Sequence, residues 1–240
     1  MTTLSRYVFS AIIAMLIAWP SLAGEEETAE TGQIDARDPH ALIVQSTDNL
    51  LAKAREAKDY FAEDPDRYYR EIGRFVEQVV DIERFTRGVM ASYASARRYR
   101  ALDTDEERKA FRERVDRFAE ILKDSLITTY SKALINAGGV RIETKPPPAG
   151  VTDDADYAAV EQVIYSDDGT PYHAQYSLRR DDSGDWKLYN ISVEGINIGM
   201  VFRSQFASLV EKHGGDVDAA IEQWRDEQHP IPINHKGDSQ

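Results

Sequence analysis

The sequence predicts an α+β protein, with helices first and an antiparallel sheet second, on three observations. Between residues 38 and 136 apolar residues recur at helical spacing behind repeated aspartate caps. From residue 140 the period drops to two, and turn-forming residues separate short apolar runs. After Gly199 the helical period returns, and Gly214-Gly215 closes it.

The first residues read as a targeting segment. Arg6 supplies a positive start, Val8 to Trp19 an apolar core, and Ser21-Leu22-Ala23 a small-x-small cleavage site, so residues 1–23 are a signal peptide. The apolar core is shorter than the about 20 residues a membrane-spanning helix needs. No cysteine follows the cleavage site, which closes the lipoprotein route. Cleavage removes Arg6 and no acid, so the formal charge of −13 becomes −14. That balance argues against nucleic acid and against tight adsorption to anionic headgroups. With no cysteine at all, the fold has no disulfide and the protein no thiol chemistry. Residues 24–37 are acidic and nearly without apolar side chains, a flexible leader. One domain is expected over 38–229, and the tail from Pro230 is expected to be disordered.

Asp38-Pro39 and Asp64-Pro65 are helix starts, aspartate as cap and proline at the first helical position. The first helix carries Leu42, Val44, Leu50, Leu51 and Ala54 to about Phe61. The second carries Tyr68, Tyr69, Ile72, Phe75, Val76, Val79 and Val80, a stripe too wide for an exposed helix. Asp81 caps a third, with Phe85, Val89 and Met90. After the basic run Ala96–Arg100 (ARRYR), Thr104 and Glu107 form a capping box. The box opens the longest helix, with Phe111, Val115, Phe118, Leu122, Leu126, Tyr130 and Leu134 on one side and Gly138-Gly139 as its stop.

Val140 to Thr144 reads as a strand and KPPPAG as a stiff connector. Tyr157–Ser166 and Tyr172–Arg180 flank Asp167-Asp168-Gly169-Thr170, a hairpin signal. Asp182-Ser183-Gly184 turns into a strand from Trp186 to Val193, giving a meander of about four strands. That last strand has Trp186 and Leu188 on one face and Tyr189, Ile191 and Val193 on the other, a pattern of burial on both sides. Gly195 breaks it, and Phe202, Phe206, Leu209, Val210 and His213 follow at helical spacing. Asp216 caps a final helix with Val217, Ala220, Ile221 and Trp224.

The run from Asp185 to Phe206, DWKLYNISVEGINIGMVFRSQF, resembles the signature of the MlaC family, phospholipid-binding proteins of the Mla (toluene-tolerance) transport system. Trp186, Lys187, Tyr189, Val193, Glu194, Gly195, Arg203, Ser204, Gln205 and Phe206 stand at matching positions. Asn190 replaces the usual aspartate, Asn197 the serine and Phe202 the tyrosine. The resemblance implies an NTF2-like curved antiparallel sheet with a helical subdomain enclosing an apolar cavity, over about residues 40–224. It also implies a periplasmic carrier of phospholipid. Its implied partners are an outer-membrane lipoprotein–porin complex and an inner-membrane ABC transporter with MCE-domain subunits, and its role is upkeep of outer-membrane lipid asymmetry.

Under that resemblance the lipid contacts fall to Phe75, Val79, Phe85 and Val89 on the early helices and to Phe118 and Leu122 on the long one. Tyr176 and Trp186 join them from the sheet, and Ile198, Met200, Phe202 and Phe206 from the last joint. Periodicity alone reads the same side chains as ordinary core. It does not separate those that line a pocket from those packed behind it.

Signatures of catalysis are missing. No phosphate loop, nucleophile elbow or HExxH pair occurs, the five histidines lack metal-pair spacing, and Asp153-Asp154-x-Asp156 lacks the glycine and distal glutamate of a calcium loop. No cofactor is expected beyond a bound phospholipid as cargo. Two other readings stay open. One is an isomerase- or dehydratase-type enzyme on the same cone, with Glu161, Glu194 or His173 as its titratable group. The other is a carrier of hopanoid-type lipids. ARRYR is a solvated helix end or an electrostatic handle for an acidic partner or a lipid phosphate.

Overall fold

The computed structural model describes residues 34–136, 141–147, 155–166, 168–227, 229 and 231. The expected signal peptide, most of the expected leader, the Gly138-Gly139 stop and nearly all of the tail from Pro230 lie outside the described residues.

Among the described residues five α-helices come first: α1 (Pro39–Ala57), α2 (Pro65–Val79), α3 (Ile82–Met90), a short α4 (Ala96–Arg100) and α5 (Asp105–Asn136). Each start is capped locally. The carboxylates of Asp38, Asp64 and Asp81 accept backbone N–H groups of the first turns. At α5 the Thr104 hydroxyl accepts from Glu107 N at 3.1 Å, while the Glu107 carboxylate accepts from Thr104 N at 3.0 Å, a complete capping box. That box opens a helix of 32 residues, which at about 1.5 Å per residue runs the length of the domain.

The sheet follows as an antiparallel meander in the order β1-β2-β3-β4-β5. Its strands are β1 (Arg141–Thr144), β2 (Tyr157–Tyr165), β3 (Pro171–Arg180), β4 (Trp186–Val193) and a two-residue β5 (Ile196–Asn197). The expected four strands become five because Glu194-Gly195 is a tight hairpin turn rather than a bend. Glu194 and Gly195 both have positive φ, 50° and 77°, between the paired Val193 and Ile196. Two described helices follow the sheet, α6 (Ile198–Lys212) and α7 (Val217–Asp226).

Register explains the unusual polarity of β4. Ser177 faces Asn190 but Leu178 faces Leu188, so Tyr189 is an extra residue without a partner, a β-bulge. The bulge shifts the alternation by one. Trp186, Leu188, Ile191 and Val193, opposite Arg180, Leu178, Tyr176 and Ala174, therefore share one face of the sheet. The strand is not buried on two sides; its apolar residues are gathered on the inner one. Gln162, buried on that face, donates to Thr47 on α1 at 3.1 Å and to Thr144 on β1 at 3.0 Å, which ties the first helix to the sheet.

Two boundaries move. Trp186 N donates to Ala36 O at 2.6 Å, so the last residues of the expected leader lie against β4. Ile231, expected in a disordered tail, is 2% exposed and belongs to the core. An apolar residue at that point gains more by burial than a short segment loses in freedom.

Candidate functional site

The inner face of β4 does not pack tightly everywhere. Between it and the helices lies an apolar cavity of about 140 Å³. Ile72 and Val76 of α2 line one side, with Val80 and Ile82 of the following strap and Phe85 of α3. Leu126, Ile127 and Tyr130 of α5 line another, Leu188 to Ile191 and Val193 of β4 a third, and Ile198 and Phe202 of α6 a fourth. Ile231 completes the wall.

Sequence features at the cavity's corners hold it in shape. α6 starts against β4 because two asparagines cap it: Asn197 accepts from Met200 N at 3.0 Å, and Asn190 accepts from Gly199 N at 3.1 Å. These are the positions at which the family signature carries serine and aspartate. All three residue types supply a side-chain oxygen to a helix start, so the exchange keeps the function. The strap is held by a bridge between Val80 and Leu188 and by Asp81 N donating to Leu188 O at 2.8 Å. Across the helical walls, Tyr68 donates to Ser131 O at 3.0 Å.

Polar groups at the wall are few. Lys123, 8% exposed, holds Glu77 of α2 at 2.7 Å and Glu120 at 2.6 Å. Burial pulls the ammonium pKa down, but its hydrogen bonds to the two carboxylates outweigh that and raise it. Tyr130 donates to His229 O at 3.0 Å, and burial pushes its phenol pKa up. His229 stacks on Trp224 at 3.6 Å, and burial lowers its pKa.

Of the residues expected to touch lipid, Phe85, Ile198 and Phe202 line the cavity. Phe118 and Phe206 do not; they join Trp224 in an aromatic cluster behind it, with ring centroids 4.6 to 6.1 Å apart. Phe75, Val79, Val89 and Leu122 are buried in the core outside the cavity wall. Trp186 sits at the far end of β4, its ring 4.5 Å from the Arg180 guanidinium. Tyr176, part-buried on the inner face of β3, packs on the core, and burial raises its phenol pKa. Met200 is 52% exposed, because the cap at Asn197 turns the third helical position toward solvent.

Sequence reasoning missed Ile72, Val76, Val80, Leu126, Ile127, Tyr130, Ile191 and Ile231 as wall residues. The signal for the α2 group was present in the width of its stripe: Ile72, Phe75 and Val79 are buried in the core, while Ile72, Val76 and Val80 also reach the cavity. The three groups on which an enzyme would depend are not brought there. Glu161 and His173 are exposed on the outer face of β2 and β3, and the Glu194 carboxylate accepts from His173 N at 2.6 Å. Among the described residues no cluster of metal-binding side chains occurs, and no helix is long and apolar enough to cross a membrane.

A meander covered on its inner face by helices, with an apolar cavity at the junction and no polar constellation inside, defines an α+β cavity protein built to surround something apolar. The chain belongs to the MlaC family, whose description, MlaC protein, matches over residues 44–226. It is 30% identical to the toluene tolerance protein ttg2D of Pseudomonas putida over 216 residues, 90% of this chain and 88% of that protein. Its fold is similar to that of the phospholipid-binding protein of Ralstonia solanacearum solved in complex with a phospholipid, with a TM-score of 0.62 and 20% identity, covering 81% of this chain and 96% of that one.

Proposed function

We propose that this protein is a periplasmic phospholipid carrier, exported by a signal peptide cleaved after Ala23. It shuttles lipid between an outer-membrane lipoprotein–porin complex and an inner-membrane ABC transporter with MCE-domain subunits, and so maintains outer-membrane lipid asymmetry. The observation that carries this reading is the apolar cavity on β4, in a chain of a family with a phospholipid-binding relative of the same fold.

Exposing ~30 acyl methylenes to water costs on the order of 24 kcal/mol, so a carrier must surround most of that length. Featureless chains need apolar area and few polar anchors, which is what Ile72, Val76, Phe85, Leu126, Ile198 and Phe202 offer. The headgroup remains in water, and selectivity for it is weak. Direction of transport comes from the membrane partners.

Native mass spectrometry of the protein purified gently from a Gram-negative host tests the reading. Adducts with the mass of one diacyl phospholipid, identified after extraction, are expected. Protein free of any lipid-sized adduct, which also fails to take labelled phospholipid from vesicles, would overturn it.

A further inference from the structure

The outer face of the sheet carries a feature that the cavity does not use. Tyr157 on β2, Arg179 on β3 and Lys187 on β4 are direct neighbours in register, so they stand in one row. Tyr157 is 59% exposed and meets the ring of Tyr189 edge-on at 6.3 Å. The Arg84 guanidinium lies 5.9 Å from that second ring. Beside this row a groove of about 910 Å³ opens between the start of α3, residues 91–96 and the β3–β4 hairpin.

Of the groove's four acids three are engaged locally, exposed Asp182 being the exception, and two of its cations form no ion pair among the described residues. Asp81 accepts from Arg84 N at 2.9 Å as the cap of α3. Asp181 accepts from Ser183 N and Asp185 N, and Glu83 takes Arg87 at 2.8 Å. Arg84 and Arg179 form no ion pair among the described residues, and Nε of Arg179 is buried without a hydrogen-bond partner. An unmatched buried donor of a charged group is unfavourable, and a carboxylate is the acceptor that fits its planar fork. α4 starts at the rim of the groove and adds exposed Arg97, Arg98 and Arg100, the basic run of the sequence, again with no ion pair among the described residues. All this stands in a chain of formal charge −13.

We propose that this face docks an acidic segment of a protein partner, with Arg84 and Arg179 taking its carboxylates and Tyr157 as the aromatic anchor. Arginine and tyrosine are the side chains enriched at such interfaces, and opposite charge steers the encounter. A bilayer surface fits less well. It calls for large apolar side chains that enter the headgroup layer, and among the described residues Tyr157 and Met200 are the exposed large ones. The groove shares Val80 and Ile82 with the cavity, so a seated partner touches the cavity strap from outside. The proposal goes beyond the carrier reading and does not depend on what the cavity holds.

The test uses fluorescence anisotropy of labelled decaglutamate with the purified protein at low ionic strength. Wild type binds and releases the peptide as salt rises, while Arg84→Gln/Arg179→Gln weakens binding about tenfold with an unchanged thermal melt. Arg84→Gln/Arg98→Gln, on the exposed sides of α3 and α4, reads the same surface if the first pair disturbs the sheet. Lys53→Gln/Arg55→Gln on α1 leaves binding unaltered. The proposal is overturned if decaglutamate does not bind wild type, or if the α1 control loses as much as the groove variants. It is also overturned if vesicles of phosphatidylcholine with phosphatidylglycerol bind through these arginines while decaglutamate does not, which makes the face a membrane surface.

Discussion

The joint between β4 and α6 can be tested by adding a single methyl group. A Cβ built on Gly199 stands 2.8 Å from Oδ1 of Asn190 and 3.5 Å from Oδ1 of Asn197. Asn190 can retreat only by giving up its hydrogen bond to Gly199 N, one of the orphan donors of the helix start. Losing such a cap costs about 1–2 kcal/mol, whereas alanine in place of helical glycine stabilises by roughly 0.5–1 kcal/mol. Gly199→Ala is therefore expected to destabilise by about 0.5–1 kcal/mol in the native background, the difference of those two effects. Asn190→Ala costs about 1 kcal/mol on its own. Once Asn190 is gone nothing obstructs the methyl group, so adding Gly199→Ala to Asn190→Ala stabilises. The sign reversal is a coupling of about 1–2 kcal/mol in a double-mutant cycle, measured by urea unfolding of the four proteins. If Gly199→Ala has the same effect in both backgrounds, the close approach does not control this joint and the reasoning fails.

Three further outcomes follow from the same geometry. Phe202→Ala removes a ring packed edge-on against Phe85 at 6.3 Å and Trp224 at 6.0 Å, so thermal unfolding should show a loss of about 3–5 kcal/mol, whereas Met200→Gln should change neither the melt nor lipid retention. Arg114 grips Asp218 with three hydrogen bonds of 2.7, 3.0 and 3.1 Å, and chiefly these hold its carboxyl below the usual range; a depressed folded pKa stabilises above the unfolded value of about 3.9. The stability gap between wild type and Asp218→Asn should accordingly be full at neutral pH and close as pH falls through the folded pKa, and a gap independent of pH would contradict this. Tyr130→Phe deletes the hydrogen bond to His229 O and is expected to cost about 1 kcal/mol while quickening hydrogen exchange at Ile231.

What the sequence made legible was local. Asp38, Asp64, Asp81 and Asp216 cap helices as read, and the Thr104–Glu107 box closes as read, because a cap is decided within four residues. The bulge at Tyr189 was not legible, since it exists only relative to the register of β3. That one residue decides the inner face of β4, and with it the location of the cavity. The α6 stripe was read correctly as apolar but not as divided: Ile198 and Phe202 face the cavity, and Phe206 and Val210 the core. Ile231 carried no periodic signal, standing between Pro230 and Pro232. The resemblance indicated a cavity and a candidate set of apolar residues without separating those that line it from those packed behind.

The size of the cavity constrains how a carrier of this kind can load. Its 140 Å³ is close to the engineered cavity of about 150 Å³ that takes one benzene, far less than two acyl chains occupy. Close-packed walls do not stretch; they part at an interface. The glycine joint is a poor place to part. Gly195 sits in a hairpin turn that Glu194 ties to His173 through both its backbone N–H and its carboxylate, and Gly199 is pinned by Asn190. The strap is bonded to β4, and α2 lies so close to α5 that a Cβ on Gly73 would touch Ile127 at 3.6 Å. His229 and Ile231 lie at the other end of the cavity wall, where the Tyr130 hydroxyl donates to His229 O, the His229 ring stacks on Trp224 and stands 3.1 Å from Trp224 O, and Ile231 is buried. An acyl chain that entered along Tyr130 would replace Ile231 with carbon of the same polarity, so little apolar burial would be lost. Widening would then fall to the seam between α2 and α5, where Lys123 pairs with Glu77, whose side chain is more than half exposed. Glu77 is partly solvated, and buried Lys123 keeps Glu120 at 2.6 Å when that link opens, so no unpaired buried charge is left.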